Sequence, residues 1–277
     1  MRFSQRVLRL DRRWIFIGIA LAVAIPIITR MTLPLGKVAP PTVAVYKFIE
    51  DLKPGDVVMI AFDYGPSSMP ELHPQAIALV RHCLSRKLRV ITVSLNQQGT
   101  QLARDVLAQV GGELGAVDGT DYVNLGFKVG VAATILGLGE SIRKVYAQTA
   151  DGKLTADLPV MKGVNSYRNV ALLVDLAAGD LPQAWIAFAH ERYNQDIALG
   201  ITAVMATGLY PYLQSGQIVG LINGLKGAAE YEELTHFEGK GETGMAAQSI
   251  AHLLIIVMVV LGNIAYFASG RGGRRRR

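Results

Sequence analysis

Asp63 and Asp175 are the two carboxylates whose positions invite chemistry. Each lies at or near the end of an apolar run, DVVMIAFD at 56–63 and NVALLVDL at 169–176, and each run reads as a buried strand. Carboxylates at neighbouring strand ends can hold a divalent cation or accept from a sugar hydroxyl, although Asp at such a point also caps turns. No second carboxylate follows Asp63 by two residues, the spacing a phosphoaspartate hydrolase would show. Ser67 and Ser68 sit in a Pro-flanked loop without the GxSxG elbow of a serine hydrolase. Asn96 and Gln97 add amides after a second apolar run. Lys128 lies in GFKVG at 126–130, where strand-to-helix backbone could cradle an anion. That segment matches neither GxxxxGK[ST] nor GxGxxG.

The remaining reactive side chains form no motif. His73, His82, His190 and His236 are scattered without HxxxH, HxH or HExxH spacing, which disfavours zinc. Neither a metal site, a catalytic residue nor a cofactor is assigned. The single cysteine, Cys83, rules out an internal disulfide and falls in an apolar run that reads as the buried face of a helix.

Positioning these groups requires alternating strands and helices. Strands are expected at 56–63, 88–95, 121–125, 169–176 and 197–205, and near-continuous Val, Ile and Ala says that both of their faces are covered. Helices are expected at about 71–87, 99–111, 128–146, 181–193 and 212–234. Repeated βα units predict a doubly wound, mainly parallel α/β sheet of the three-layer, Rossmann-like kind. In such sheets ligands bind beyond the carboxyl ends of the strands, where Asp63, Ser67, Ser68, Asn96, Gln97, Lys128 and Asp175 all fall. The stretch 148–168 has no period and reads as a long surface excursion, with a lid as one use for it.

Within the expected last helix, Gly216, Gly220, Gly224 and Ala228 recur every four residues. Glycine costs roughly 1 kcal/mol relative to Ala inside a helix, so a stripe calls for close packing. That packing is either onto the chain's own sheet or against another copy or membrane partner.

The two ends differ from the middle. WIFIGIALAVAIPIIT follows Arg13, and AAQSIAHLLIIVMVVLGNIAYFA spans 246–268; both read as transmembrane segments. The first lacks a small-x-small site after its apolar run, so it reads as an uncleaved anchor rather than a signal peptide. Gly18 with Ala22 and Ala20 with Ala24 have the spacing of associating membrane helices, and Asn263 places an amide in the second segment. The net charge is +6, but residues 31–246 keep only 17 of the 28 Lys and Arg against 21 of the 22 Asp and Glu. The basic ends therefore look like orientation signals, not a nucleic-acid surface. They predict cytoplasmic termini and an extracytoplasmic domain.

The resulting organisation is a basic N-terminus (1–13), a first span (14–30), a Pro-rich spacer (31–41), an α/β domain (42–234), a flexible return (235–245), a second span (246–268) and an Arg-rich tail (269–277). With the lipid bilayer as one partner, the first functional expectation is a non-enzymatic assembly subunit, a homo-oligomer or part of a membrane complex. The alternative is a small-molecule-binding sensor or transport accessory, and a membrane-proximal hydrolase ranks last.

Overall fold

A computed structural model describes residues 11–34, 36–237 and 239–268. Most of the basic N-terminus and the Arg-rich tail lie outside them. The chain divides into two compact units, Leu35–Gly241 and the paired ends Met1–Pro34 with Glu242–Arg277.

The larger unit is a six-stranded, all-parallel sheet in the order β3-β2-β1-β4-β5-β6, formed by β1 (Val57–Asp63), β2 (Arg89–Ser94), β3 (Tyr122–Phe127), β4 (Leu172–Ala177), β5 (Ile197–Ile201) and β6 (Gly220–Asn223). β1, β4 and β5 are buried along their whole length, as continuous apolar runs require of strands covered on both faces. The Rossmann-like α/β architecture expected from the alternation is the one observed.

Two helical layers cover the sheet. In front lie α2 (Pro40–Glu50), α3 (Met69–Ser85), α4 (Gly99–Leu114) and α9 (Gly224–Thr235), packed on Val58, Ile60 and Phe62 of β1. Behind lie α5 (Val131–Val145), α6 (Leu181–Trp185), a π-turn (Ile186–His190), α7 (Glu191–Tyr193) and α8 (Ala206–Gln214), packed on Met59 and Ala61 of β1 and Leu173 of β4. Alternate residues of one strand thus serve two separate cores.

The sequence misled in four places. Residues 212–234 are not one helix: they hold the end of α8, a turn, β6 and α9. Each glycine of the stripe has a different local task. Gly216 has φ +79 in the turn and Gly224 has φ +60 at the start of α9, both in the left-handed region that favours glycine. A Cβ on Gly220 would lie 2.6 Å from Val45 Cγ2 and 2.7 Å from the Pro41 carbonyl, so its hydrogen lets α2 rest on β6. Ala228 is fully buried in the domain.

The spacer gives way at Pro40 to α2, whose Pro40 and Pro41 occupy first-turn positions that need no intrahelical donor. The fifth strand ends at Ile201 and turns through Ala203–Met205 into α8. The stretch 148–168 is no loose excursion, because Val160, Met161 and Val164 are completely buried. Side chains replace the missing secondary structure: Arg89 Nη1 donates to the Val160 and Lys162 carbonyls at 3.0 and 2.7 Å, and Arg143 Nη2 to the Met161 carbonyl at 2.7 Å.

The smaller unit contains α1 (Arg12–Thr29) and most of α10 (Lys240–Ala268), two helices long and apolar enough to cross a membrane. At 1.5 Å per residue the shorter reaches about 27 Å, close to a bilayer's hydrocarbon thickness. Because α10 starts at Lys240, the expected flexible return is already helical from there. The two helices touch: a Cβ built on Gly18 would meet Leu254 Cδ2 at 3.6 Å and Met258 Cε at 3.9 Å.

Candidate functional site

The strand order reverses between β1 and β4, the point at which open parallel sheets leave a crevice beyond the strand ends. Asp63 and Asp175 are located there. In the register Ala61 pairs with Asp175 and Asp63 with Ala177, so the carboxyls are diagonal neighbours on the rear face. Both are buried, Asp63 to 2% exposure and Asp175 to zero.

Their surroundings are unequal. Asp63 Oδ1 accepts from the Leu95 amide at 2.6 Å and its Oδ2 from the Trp185 indole Nε1 at 2.8 Å. Neither oxygen of Asp175 has a donor when both groups are ionised. A proton held by Asp175 and donated to Asp63 gives the pair its hydrogen bond. Burial drives both carboxyls toward the protonated form, Asp63 up to about 6 and Asp175 well above the ordinary carboxylate range. The negative charge of Asp63 pushes Asp175 further in the same direction. Both shifts favour a proton resting on Asp175, and the two N–H donors favour keeping the charge on Asp63.

Tyr146, at the end of α5, completes this polar cluster. Its ring is fully buried, and its hydroxyl makes no hydrogen bond of good geometry among the described residues, the Ser94 backbone being the nearest polar group to act on it. Burial, and next the charge of Asp63, raise its pKa. Lys128 Nζ stands over the ring, 5.4 Å from the centroid.

Outside Tyr146 opens a cavity of about 660 Å³ whose wall includes Gln97, Thr100, Lys128, Lys144, Gln148 and Thr149. It lies at the carboxyl end of β3, between the first turn of α4 and the segment after α5. That first turn is pressed onto β1: a Cβ on Gly99 would fall 1.8 Å from the Phe62 carbonyl. A smaller cavity of about 410 Å³, with Arg168, His190 and Arg192 in its wall, opens beside the segments that enter β4 and β5, away from the crevice.

The residues selected from sequence separate into three groups. Asp63 and Asp175 come together as a pair, and Gln97 and Lys128 meet in the cavity wall. Asn96 is a turn residue, with Oδ1 accepting from the Gln98 amide at 2.9 Å and its carbonyl accepting from Ser94 Oγ at 2.5 Å. Ser67 and Ser68 form a 3-10 turn without a side-chain cap and belong to neither constellation. The expected anion cradle at Gly126–Gly130 is altered as well. The Lys128 amide is spent on the Ser94 carbonyl at 3.1 Å, and α5 starts only after Gly130, so Lys128 contributes through its side chain.

Sequence reasoning overlooked Tyr146, Thr100, Lys144 and the indole of Trp185. The available signal was an indole and a phenol close to strand-end carboxylates, since a buried indole N–H or phenol needs a partner. No family model, curated protein or solved structure matches the chain.

Proposed function

We propose that this protein is a doubly membrane-anchored, small-molecule-binding module, a sensor or transport accessory, whose ligand enters at the carboxyl edge of the sheet. The observation that carries the reading is the cavity at the carboxyl end of β3, walled by polar side chains, with Lys128 of its wall seated over the buried Tyr146. Native proteins satisfy buried polar groups, and the exceptions concentrate where a ligand or chemistry supplies the missing partner. A cavity of this size is in the range of small-molecule sites.

The assembly expectation rested on a glycine-striped helix that does not form, and its glycines are accounted for by backbone conformation at Gly216 and Gly224 and by packing inside the domain at Gly220. Ligand binding is therefore preferred over assembly.

The membrane part of the proposal rests on exposed apolar surface. Trp14, Phe16, Ile17, Leu21, Ile25 and Ile28 of α1 face outward, as do Leu253, Ile256, Val259 and Ile264 of α10. Water does not tolerate such a continuous apolar surface, whereas lipid does. Arginines beyond both helices favour cytoplasmic termini and an extracytoplasmic domain. An impermeant thiol reagent applied to intact cells should label a cysteine placed at Ser166 or, as that side chain is largely buried, at the exposed Gln148. Protection of Gln148→Cys in intact cells with labelling after lysis would reverse the topology.

The binding reading is tested by thermal unfolding of the detergent-solubilised full chain against a small-molecule library. Compounds that stabilise the wild type should lose their effect in Ala147→Trp, which fills the cavity from an exposed wall position. A library with no stabilising compound, or stabilisation unchanged by Ala147→Trp, would remove the cavity from consideration.

A further inference from the structure

We infer that the cavity between α4, the end of β3 and the segment after α5 takes a small anion bearing a phosphate-like group. This deepens the binding proposal and rests on it.

Charge is the first argument. Lys128 and Lys144 stand in the wall and no carboxylate does. Lys153, Lys226, Arg81, Arg86 and Arg104 pair with acids elsewhere in the domain, whereas neither wall lysine forms an ion pair among the described residues. Two unneutralised ammonium groups facing one concave space raise the local concentration of anions.

Hydrogen bonding is the second. Thr100, in the wall, has a hydroxyl shielded from solvent and without a partner among the described residues. Thr100 is also the second residue of the 16-residue α4, so its amide belongs to the first turn, whose N–H groups have no intrahelical acceptor. Gln97 and Gln148 supply further donors from opposite sides. The position of Lys128 is partly set in advance by its seat over Tyr146, which lowers the ordering cost on binding. The donors surround an acceptor-rich anion, and the ammonium groups neutralise it.

The phosphate-like group could arrive on a soluble metabolite or on a lipid headgroup, and the test separates these sources. Full-length protein in detergent is titrated with pyrophosphate, with chloride at matched ionic strength as the control, and binding is followed by thermal unfolding and by phosphorus NMR line width. Pyrophosphate should stabilise the wild type more than chloride does. Lys128→Gln combined with Lys144→Gln should weaken it by at least about tenfold, in line with losing charge-assisted contacts. Each lysine is at least partly exposed, so the variant should keep its unliganded midpoint, and circular dichroism checks this. If pyrophosphate is inert but nanodiscs of phosphatidylglycerol stabilise the protein over phosphatidylcholine in a lysine-dependent way, the anion is a lipid headgroup. If neither anion acts while uncharged or cationic compounds stabilise the wild type but not Ala147→Trp, the anion inference fails and the binding module stands. If no compound of any charge acts, both fail.

Discussion

Two buried polar clusters, one on each face of the sheet, differ in how fully their groups are partnered. In front, His82 is buried between α2 and α9 with both ring nitrogens engaged, Nδ1 with Tyr231 Oη at 2.7 Å and Nε2 with Glu50 Oε1 at 2.8 Å. Tyr46 stacks on its ring at 5.1 Å. Glu230, also buried, accepts from Thr42 Oγ1 at 3.0 Å and from Lys226. Behind, Asp175 and Tyr146 are as deeply buried but lack donors and acceptors of good geometry among the described residues. A satisfied network fixes how helices dock, while an unsatisfied one stores a cost that a proton or ligand can relieve. Burial of a polar residue alone does not separate structural from functional roles, but partner satisfaction does.

The sharpest way to break this comparison is to remove the front hub. His82→Ala should cost about 3 kcal/mol, since it strands the buried Tyr231 hydroxyl, removes one of the partners of Glu50 and opens a void. Denaturant unfolding of the detergent-solubilised chain measures this, and a cost near zero would mean that the front network is dispensable.

The rear pair should respond in the opposite direction. Because folding raises the pKa of Asp63 to about 6 and that of Asp175 further, the folded state binds more protons than the unfolded state above about pH 4, the ordinary carboxylate value. Stability is therefore greatest below that value and falls as pH rises through about 6. Asp175→Asn keeps the shape, supplies Asp63 with an amide donor and removes the titration of position 175, leaving that of Asp63. It should stabilise the domain at pH 8 by roughly 1–3 kcal/mol, at about 1.4 kcal/mol per tenfold change in proton affinity. Unfolding midpoints at pH 5 and pH 8 check the sign, and an Asp175→Asn variant less stable than wild type at pH 8 would contradict the shared proton.

A smaller change sharpens the asymmetry within the pair. Trp185→Phe deletes one of the two donors to Asp63, which raises the proton affinity of that carboxyl, and should move the pH-dependent loss of stability to higher pH, with about 1 kcal/mol lost at neutral pH. The midpoint of the stability-pH curve reports it. Smallest of all, Ser67→Ala should stay within about 0.5 kcal/mol of wild type and leave pyrophosphate binding unchanged, because its exposed turn touches neither constellation.

The reach of sequence reading followed the range of the interactions involved. β1 and β4 announced themselves as apolar runs, and Cys83 was correctly placed in a buried helix face, where its thiol is pushed up to about 12 by desolvation. α2 escaped notice because two prolines at 40 and 41 resemble a spacer unless they are read as first-turn residues. β6 escaped because GLIN is four residues long, too short to declare a period. Tyr146 escaped because nothing local marks which buried phenol lacks a partner.

The chain's own residue order determined the two apolar end segments, the alternation of strands with helices and the placing of Asp63 and Asp175 at strand ends, since each depends on neighbours a few positions apart. Only the tertiary structure decided that β1 lies beside β4, bringing together two carboxyls more than a hundred residues apart in sequence. It also decided that glycines spaced by four serve a turn, a strand and a helix start instead of one helix. The physical reason is the same in both cases. A glycine's helix penalty of about 1 kcal/mol is small beside the apolar burial gained by docking α2 on β6, and strand pairing is chosen by the packing of whole crossover units that no local window contains.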